Sequence, residues 1–346
     1  MSRVYRGGLI GTGFFAQNHL HGWGDVEGAE IVAVCDLNRA KAEKAAAQFA
    51  IPSVYTDAEA LFAAEQLDFV DIPTTMETHE ELVALAVKYR VPTIVQKPFA
   101  PDYATCRRIV ANAEAAGVAL MVHEDFRFQP LFRQVRELIC SGEIGRPTFA
   151  RLSWRNSVDV YSNQPYLIHA KRFMLMDVGV HMVDLAHFLL GRAIGLFADT
   201  QQIKQGIAGE DAATLILRHE TGATSIVDIS YASLRDPDPF PQTLGEIEGK
   251  TGSIVIEPGE RLRVHGRSGT RTSDVKDDGR AWTSRPWRQI QDSVVHTQAH
   301  FIDSLRRGVE SETSGRRSLH TYALIEAAYL SAETGRRIAI HRDDER

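Results

Sequence analysis

The sequence predicts two domains, an α/β domain with a parallel sheet and then an α+β domain with a large, mostly antiparallel sheet. Short apolar runs alternate with amphipathic helical patterns in the first third of the chain, which is typical of βαβ units. Later runs are longer and alternate between apolar and polar residues, which is typical of half-buried strands. The pattern changes near residues 123–130, so we expect domains over residues 1–124 and 125–346.

The elements of the first domain follow each other in a regular order. Each predicted strand is a short apolar run, and an amphipathic run after it predicts a helix. The predicted strands are 7–11, 31–36, 69–73, 92–98 and 118–123, and the predicted helices are 16–23, 37–49, 78–89 and 103–117.

The second domain opens with a predicted helix over 131–141 and continues mainly with strands. The segment HETGA (219–223) joins two of them and indicates a hairpin. Residues 267–290 are polar and predict a loop. The remaining predicted strands are 147–155, 212–220, 223–232, 243–249, 252–257, 261–266 and 337–341, and the remaining predicted helices are 173–191, 296–307 and 317–334.

The composition excludes several classes of protein. A chain of 346 residues with 44% hydrophobic and 24% charged residues suits two ordinary globular domains. The formal net charge of −6 argues against nucleic acid or an anionic membrane as a partner. The three cysteines are widely spaced, and no run has the apolar character of a signal core or a transmembrane span. We therefore expect a cytoplasmic protein.

A glycine-rich turn joins the first predicted strand to the first predicted helix. The stretch GLIGTGFFA (8–16) places Gly11, Gly13 and Ala16 in the spacing G-x-G-x-x-A, with Phe14 and Phe15 between them. The glycines allow a tight turn and close approach of a pyrophosphate, and the start of the helix favours negative charge. In this position the motif predicts a Rossmann domain that binds a dinucleotide.

An acidic residue ends the second predicted strand. Asp36 lies 20 residues after Ala16. Its carboxylate can accept hydrogen bonds from the ribose hydroxyls of NAD and would repel the 2′-phosphate of NADP. Arg39 is close enough in sequence to soften this preference. We expect NAD as the cofactor, with NADP less favoured.

Two later strands end in further candidates for cofactor contact, because ligands of such sheets bind beyond the carboxyl ends of the strands. The third predicted strand is followed by Thr74, Thr75 and His79. Thr78 and Glu81 in the same segment also fit a helix capping box, which would be a purely structural role.

The fourth predicted strand ends in Gln96 and Lys97, followed by Pro98. A lysine at a buried strand end is costly unless it is paired or used. A surface lysine on a turn is the alternative.

The predicted helix 173–191 carries polar groups within an apolar sequence. Asp177 and His181 are one turn apart and so share a helix face, and Asp184 follows. Three interpretations are open: a metal site, a general base oriented by a carboxylate, or a buried histidine satisfied by a nearby acid.

Together these features resemble the Gfo/Idh/MocA oxidoreductases, named after glucose–fructose oxidoreductase and inositol dehydrogenase. The family pattern is an N-terminal G-x-G-x-x-A, an E-K-P at a strand end and a D-x-G-x-H-x-x-D in the second domain. This sequence has GTGFFA at 11–16, QKP at 96–98 and DVGVHMVD at 177–184. The order and spacing agree along nearly the whole chain.

The resemblance implies that Lys97, Asp177 and His181 act on one substrate hydroxyl. His181 would be the general base, and Lys97 would hydrogen-bond the same oxygen. Asp177 would bind a neighbouring hydroxyl or hold the imidazole, and Asp184 would be structural, in a salt bridge. No metal is expected. Gln96 replaces the family's glutamate, so we expect a tuned site and not a loss of activity.

The expected substrate is a neutral sugar or cyclic polyol, because no strongly basic cluster suggests a phosphorylated one. Such a substrate needs many hydrogen-bonding partners. Several stretches resemble the branch of the family that oxidises D-apiose to its lactone. The candidate substrate-binding residues are Arg127, Arg155, Asn156, Tyr166 and His169.

Other functions stay open from the sequence: an inositol-type dehydrogenase, a redox-neutral NAD-dependent glycoside hydrolase, and a non-catalytic NAD-binding sensor. The catalytic trio favours an enzyme, because a binding protein does not need all three residues. Family members pair through the second-domain sheet, where Phe149, Trp154 and Tyr231 are predicted to lie on an exposed face. The resemblance therefore implies a homodimer or homotetramer.

Overall fold

The computed structural model describes residues 3–275 and 278–341, which form two compact units. Within the described residues, unit 1 comprises 3–125, 280–282 and 290–320, and unit 2 comprises 126–275, 278–279, 283–289 and 321–341. The structure therefore departs from a single cut after residue 124, because residues 290–320 return to unit 1. The expected domains also include residues 1–2, 276–277 and 342–346, which lie outside the described residues.

Unit 1 is built on a six-stranded sheet in the order β3-β2-β1-β4-β5-β6, and every pair is parallel. The first strand, β1, lies in the middle of the sheet. Strands β2 and β3 are added on one side of it, and β4, β5 and β6 are added on the other side. The strand order therefore reverses between β1 and β4, which makes this position a topological switch point. The strands are β1 (Tyr5–Ile10), β2 (Ala29–Cys35), β3 (Ser53–Tyr55), β4 (Phe69–Ile72), β5 (Thr93–Gln96) and β6 (Leu120–His123).

Three helices of unit 1 begin where a polar side chain satisfies an N–H group of the first turn. Asn38, Asp57 and Asp102 each accept a hydrogen bond from a backbone N–H in the first turn of the helix that follows. The helices are α1 (Ala16–Asp25), α2 (Arg39–Phe49), α3 (Ala58–Ala64), α4 (His79–Lys88), α5 (Tyr103–Ala115) and most of α8 (Arg288–Arg307).

Unit 2 carries a nine-stranded sheet in the order β14-β13-β12-β11-β7-β10-β9-β8-β15. Only β7 and β10 run parallel, so the sheet is mostly antiparallel, as predicted. The strands are β7 (Pro147–Arg155), β8 (Ala193–Gln201), β9 (Ala212–His219), β10 (Thr224–Ser230), β11 (Leu244–Gly249), β12 (Gly252–Glu257), β13 (Arg261–Gly266), β14 (Gly269–Asp274) and β15 (Ile338–Ala339).

Helices lie beside this sheet. The predicted helix 173–191 is present, but its first part, Leu175–Gly179, is a π-helical turn and α7 (Val180–Leu190) follows it. The chain also forms α6 (Pro130–Cys140) and α9 (Gly315–Thr334), whose residues from 321 onwards belong to unit 2. No helix among residues 3–275 and 278–341 combines the length and apolar character needed to cross a membrane.

Several sequence predictions need correction. The polar segment predicted as a loop contains β14, which pairs with β13 although its side chains are largely exposed. The predictions missed β3, α3 and β8, of which the first two are short. Trp154 is only 3% exposed and packs edge-on against Tyr231, so these aromatics do not form an exposed face.

Helix α1 packs closely on α8 through a glycine. A Cβ atom at Gly22 would lie 3.0 Å from Val294 Cγ1 and would overlap the Gln298 side chain, which is fully buried. Gly24, in the same helix, has open space around its Cβ position. The two glycines therefore differ in packing while sharing one helix.

We expect Gly22→Ala to lower the free energy of unfolding by about 1–3 kcal/mol, because an extra carbon in a filled contact strains its neighbours. Gly24→Ala is the matched control and should raise the stability by up to about 1 kcal/mol, since alanine suits a helix better. Urea unfolding of both variants measures the difference. A shift of both variants in the same direction would contradict the close packing of the two helices.

Candidate active site

The glycine-rich turn after β1 requires glycine at its first position. Gly11 has φ +98°, and a Cβ atom there would lie 2.6 Å from Thr74 Cγ2. The space around a Cβ atom at Gly13 is open. Helix α1 begins at Ala16 without a side-chain cap or an acidic residue in its first turn. No side chain therefore caps the start of the helix, although the Asn18 N–H donates to the Phe15 carbonyl oxygen at 3.0 Å, and the turn fits the pyrophosphate of a dinucleotide.

Asp36 directly follows β2 and is held by its neighbours. Its Oδ2 accepts hydrogen bonds from the Thr12 N–H and hydroxyl, both at 2.8 Å, and its Oδ1 accepts one from the Asn38 N–H. Burial alone would raise the pKa of Asp36, but these hydrogen bonds and the charge of Lys41 outweigh it and lower the pKa below its usual value. The group is therefore a fixed carboxylate at the position expected for a ribose contact.

The residues near Asp36 and in the glycine turn are more exposed. Arg39 is exposed and forms an ion pair with Glu43 at 3.4 Å. Phe14 is 58% exposed, and Phe15 is half-buried. Their cofactor contacts stay predictions.

His79 connects two strand ends of unit 1. It is fully buried, with Nδ1 3.0 Å from the Phe99 carbonyl oxygen and Nε2 3.3 Å from the Thr74 carbonyl oxygen. Burial lowers the pKa of His79, against the opposing effect of these carbonyls, and so favours the neutral imidazole. His79 thus positions the segments after β4 and β5, and a direct cofactor contact stays a prediction.

The capping box at the start of α4 is absent. The Thr78 side chain makes no cap hydrogen bond. Its hydroxyl lies 2.8 Å from Thr74 Oγ1 and donates to the Thr75 carbonyl oxygen. Thr74 and Thr75 thus lie in an ordered turn beyond the carboxyl end of β4, next to the glycine turn.

Lys97 follows the last residue of β5. The buried Gln96 side chain accepts a hydrogen bond from the Lys97 N–H at 2.6 Å, and the Lys97–Pro98 peptide bond is cis. The Lys97 side chain is half-buried. Gln96 therefore holds the backbone of Lys97, and its own contact with cofactor stays a prediction.

In unit 2, Asp177 lies in the π-helical turn before α7. Its Oδ2 accepts a hydrogen bond of 2.7 Å from the Tyr231 hydroxyl. Burial and the charge of Asp177 raise the pKa of Tyr231 well above its usual value, so this hydroxyl stays protonated as a donor. In a π-helical turn the backbone hydrogen bonds span five residues, one more than in an α-helix, and such turns are frequent at functional sites.

His181 lies in the first turn of α7 and is 5% exposed. Its ring stacks on Phe126 with a centroid distance of 3.9 Å and an interplanar angle of 8°. The stacking fixes the plane of the imidazole, and thereby the directions in which its two nitrogens face.

Arg127 and Asp184 form a buried ion pair. The guanidinium donates to the carboxylate through two nitrogens, at 2.7 and 2.5 Å, and the Thr321 hydroxyl lies 3.3 Å from Asp184. The salt bridge expected for Asp184 is thus present. The guanidinium of Arg127 also lies over the Phe188 ring, so this arrangement supports a structural role, and its substrate contact stays a prediction.

Unit 2 contains a cavity of about 240 Å³ at one end of its sheet. Tyr231, whose hydroxyl bonds Asp177, is one of its lining residues, so Asp177 lies one hydrogen bond away from the lining. Burial, with the charges of Asp211 and Asp159, raises the pKa of Tyr161 to about 12. The lining residues are Ser157, Val158, Asp159, Tyr161, Ile203, Lys204, Asp211, Tyr231, Ala232 and Leu234.

The other predicted substrate residues lie outside the lining of this cavity. Arg155 donates to the Ser233 hydroxyl at 3.1 Å, and the buried Asn156 side chain accepts from the Val158 N–H. Tyr166 and His169 are exposed. Their roles toward substrate stay predictions.

Sequence reasoning missed most of the cavity because its residues come from segments that border four different strands, β7, β8, β9 and β10. The register pairs Ser230 with both Ala212 and Arg155, so the residues beyond them meet at one end of the sheet. The Tyr231 N–H accordingly donates to the Asp211 carbonyl oxygen at 3.0 Å. The HETGA hairpin, read with its register, was the signal that could have placed Tyr231 opposite Asp211.

Two protein-family descriptions match the chain. "Oxidoreductase family, NAD-binding Rossmann fold" matches residues 5–124, and "GFO/IDH/MocA C-terminal domain" matches residues 132–272. The matches confirm the predicted fold class and the predicted binding of NAD.

Similar proteins extend over almost the whole chain. A D-apiose dehydrogenase from Paraburkholderia graminis is 49% identical over 97% of this chain and 90% of its own length. Another from Rhizobium rhizogenes is 46% identical over 97% of both chains. The crystal structure of an oxidoreductase from Agrobacterium radiobacter, in complex with NAD⁺, L-tartaric acid and magnesium, is 46% identical and has a TM-score of 0.95 over 97% of this chain and 98% of that chain.

We expect Asp36→Ala to raise the preference for NADP⁺ over NAD⁺, expressed as the ratio of kcat/KM values, by about tenfold. The variant removes an acceptor for the ribose hydroxyls and the charge that repels a 2′-phosphate. Asp57→Ala is the control, since Asp57 also accepts a backbone N–H in unit 1 but caps α3. An unchanged ratio for Asp36→Ala would contradict the ribose contact.

Proposed function

The chain belongs to the GFO/IDH/MocA oxidoreductases, and from this premise we propose that it oxidises D-apiose at its anomeric carbon to the lactone, with NAD⁺ as acceptor. The similar D-apiose dehydrogenases support the choice of sugar. Inositol-type oxidation and redox-neutral glycoside hydrolysis are the competing outcomes of the test.

The observation that carries the substrate class is the cavity beside Asp177. Its volume of about 240 Å³ is below the range of pockets for drug-sized ligands and suits a monosaccharide. Hydroxyl and carboxylate groups dominate its polar wall, while Lys204 is the one cation among the described lining residues. A neutral polyol fits this wall better than a phosphorylated sugar, which needs more positive charge.

We assign the proton transfer to His181. Oxidation removes a hydride from the anomeric carbon and a proton from its hydroxyl, and bound NAD⁺ supplies the hydride acceptor. Histidine is suited to take the proton near neutral pH, and stacking on Phe126 fixes the plane of the ring. Lys97 donates a hydrogen bond to the same oxygen and stabilises the developing negative charge.

Asp177 binds the substrate beside the reacting carbon. Its Oδ2 is already held by the hydroxyl of Tyr231, a lining residue of the cavity, so the carboxylate has a fixed orientation. A fixed carboxylate accepts a hydrogen bond from a neighbouring sugar hydroxyl without a further ordering cost.

The expected oligomer and location rest on other observations. Phe197 and Ile216 are 39% and 46% exposed and are paired across β8 and β9, which favours the sheet as the surface of a homodimer or homotetramer. A monomer in light scattering would contradict this.

The three cysteines are free thiols, which is consistent with the reducing cytoplasm.

The test is NADH formation by the purified protein, with NAD⁺ and NADP⁺ separately, against aldoses including apiose, inositols and sugar acids. We expect the highest kcat/KM with apiose and NAD⁺. Activity with an inositol alone would overturn the substrate. If no compound of the panel gives NADH and the purified protein contains bound NAD, the hydrolase or the sensor is favoured.

We expect His181→Ala to lower kcat by about 10²-fold or more, the usual contribution of a positioned general base. NAD⁺ affinity should stay within about twofold, because removing the base mainly affects the chemical step. His187→Ala, on the last turn of the same helix, is the control. Wild-type turnover of His181→Ala would show that another group takes the proton.

We expect Tyr161→Phe to raise KM for the sugar about five- to tenfold, because a site that hydrogen-bonds a substrate hydroxyl loses that bond. The Tyr161 hydroxyl is buried and has no hydrogen-bond partner within residues 3–275 and 278–341. The substitution should therefore leave the melting temperature unchanged or raised.

The same assay on Tyr166→Phe tests a residue that the sequence predicts to bind the substrate and that lies outside the cavity lining. The Tyr166 hydroxyl is bonded to Gln164 in the free protein. If KM for the sugar rises in Tyr166→Phe but not in Tyr161→Phe, the sugar does not bind in the cavity.

A further inference from the structure

A chain of buried polar side chains leads to the backbone of Lys97. The Asp71 carboxylate, on β4, lies 2.7 Å from His19 Nδ1 and accepts a hydrogen bond of 2.7 Å from the Trp23 indole. On the other side of the imidazole, His19 Nε2 lies 3.0 Å from the Gln96 amide nitrogen. Gln96 Oε1 accepts the Lys97 N–H. His19 and Asp71 have no exposed surface.

The hydrogen bonds allow one arrangement of the protons. Gln96 uses its oxygen for the Lys97 N–H, so its amide nitrogen faces His19 and must donate. His19 Nε2 is then an acceptor, and its proton resides on Nδ1, where it is donated to Asp71. A proton on Nε2 would face the N–H of Gln96, and turning the amide would break its bond to Lys97.

The imidazole has little freedom to leave this position. Its ring packs on His123, with centroids 4.3 Å apart, and edge-on against Phe15. The Gln298 side chain donates to the His19 carbonyl oxygen at 3.0 Å. The ring, its backbone and its tautomer are therefore each held by a separate contact.

The buried Asp71 carboxylate would lower the stability of the fold if its role were purely structural. Asp71 Oδ1 is buried and has no hydrogen-bond partner among the described residues, while Oδ2 takes both donors. Burial of a half-satisfied carboxylate costs stability, and an apolar side chain would avoid that cost. A role in fixing the tautomer of His19 accounts for its presence.

We propose that His19 and Asp71 are positioning residues for the reaction: Asp71 fixes the tautomer of His19, His19 fixes the amide of Gln96, and Gln96 fixes the backbone of Lys97. The inference rests on the proposed function, in which Lys97 contacts the reacting oxygen. It explains why glutamine serves at position 96, since an amide accepts from Lys97 and donates to a neutral imidazole at the same time.

The test compares His19→Phe, Gln96→Leu and the double variant. We expect each single variant to lower kcat about tenfold, with KM for NAD⁺ within about twofold. The double variant should be no slower than the slower single one, because both break the same chain of contacts. Additive losses would overturn the proposal.

Hydrogen exchange at the Lys97 amide gives a readout that does not depend on turnover. We expect protection of this amide to fall about tenfold in both single variants, while the amide of Val95, within β5, keeps its protection. Unchanged protection of the Lys97 amide would overturn the proposal even if turnover fell.

Trp23→Phe is the matched control. The indole donates to the same carboxylate from the same helix but does not lie between Asp71 and Lys97. Turnover and hydrogen-exchange protection of the Lys97 amide should match the wild type.

Asp71→Asn is a second variant in case His19→Phe does not fold, since it preserves the volume of the side chain and admits the other tautomer of His19. It should lower both readouts, and wild-type values for both would overturn the proposal.

Lys97→Met separates this inference from the proposed function. A loss of turnover of about 10²-fold supports the assigned role of the lysine. Wild-type turnover of Lys97→Met would overturn that role and the link of the network to catalysis, while apiose oxidation by the wild-type protein would still stand.

Discussion

The constraint on which unit 1 depends is the loss of hydrogen-bond partners where parallel strands end. Backbone groups beyond the last ladder bond must be satisfied by other means. Asp36 accepts from the N–H groups of Thr12 and Asn38, and Gln96 accepts from the N–H of Lys97. The His79 ring lies between two carbonyl oxygens, and its neutral form can donate to one of them. The side chains that bond these groups therefore gather at the carboxyl edge of the sheet, where ligands of such sheets bind, and they order the loops along that edge.

A comparable constraint orders the helix that carries Asp177. The first N–H groups of a helix have no partner within it. The buried Glu210 carboxylate accepts the N–H groups of Phe173 and Leu175, at 3.2 and 3.1 Å, and a hydrogen bond of 2.7 Å from the Tyr329 hydroxyl. The helix thus starts at a fixed point, and Asp177 lies two residues later in the π turn, where Tyr231 holds its carboxylate.

The prediction of the fold succeeded where periodicity was strong and failed where it was not. Strands β7, β12 and β13 were predicted with the same bounds, because their alternation covers every residue. The edge strand β14 was predicted as a loop because its side chains, Arg271 among them, are polar on both faces. Within the site, local motifs identified Gly11 and Asp36, whereas the cavity residues Tyr231 and Asp211 meet through the strand register, which no local pattern reveals.

By itself the sequence determined the class of fold, the glycine turn and the aspartate that follows β2, because each depends on residues close together in the chain. The tertiary structure alone decided how buried polar groups are paired. Arg127, whose contact with substrate stays a prediction, pairs its guanidinium with Asp184, 57 residues away. His19 belongs to no local motif, yet it connects Asp71 and Gln96. Such pairings depend on strand order and helix packing, which bring together residues that no local spacing relates.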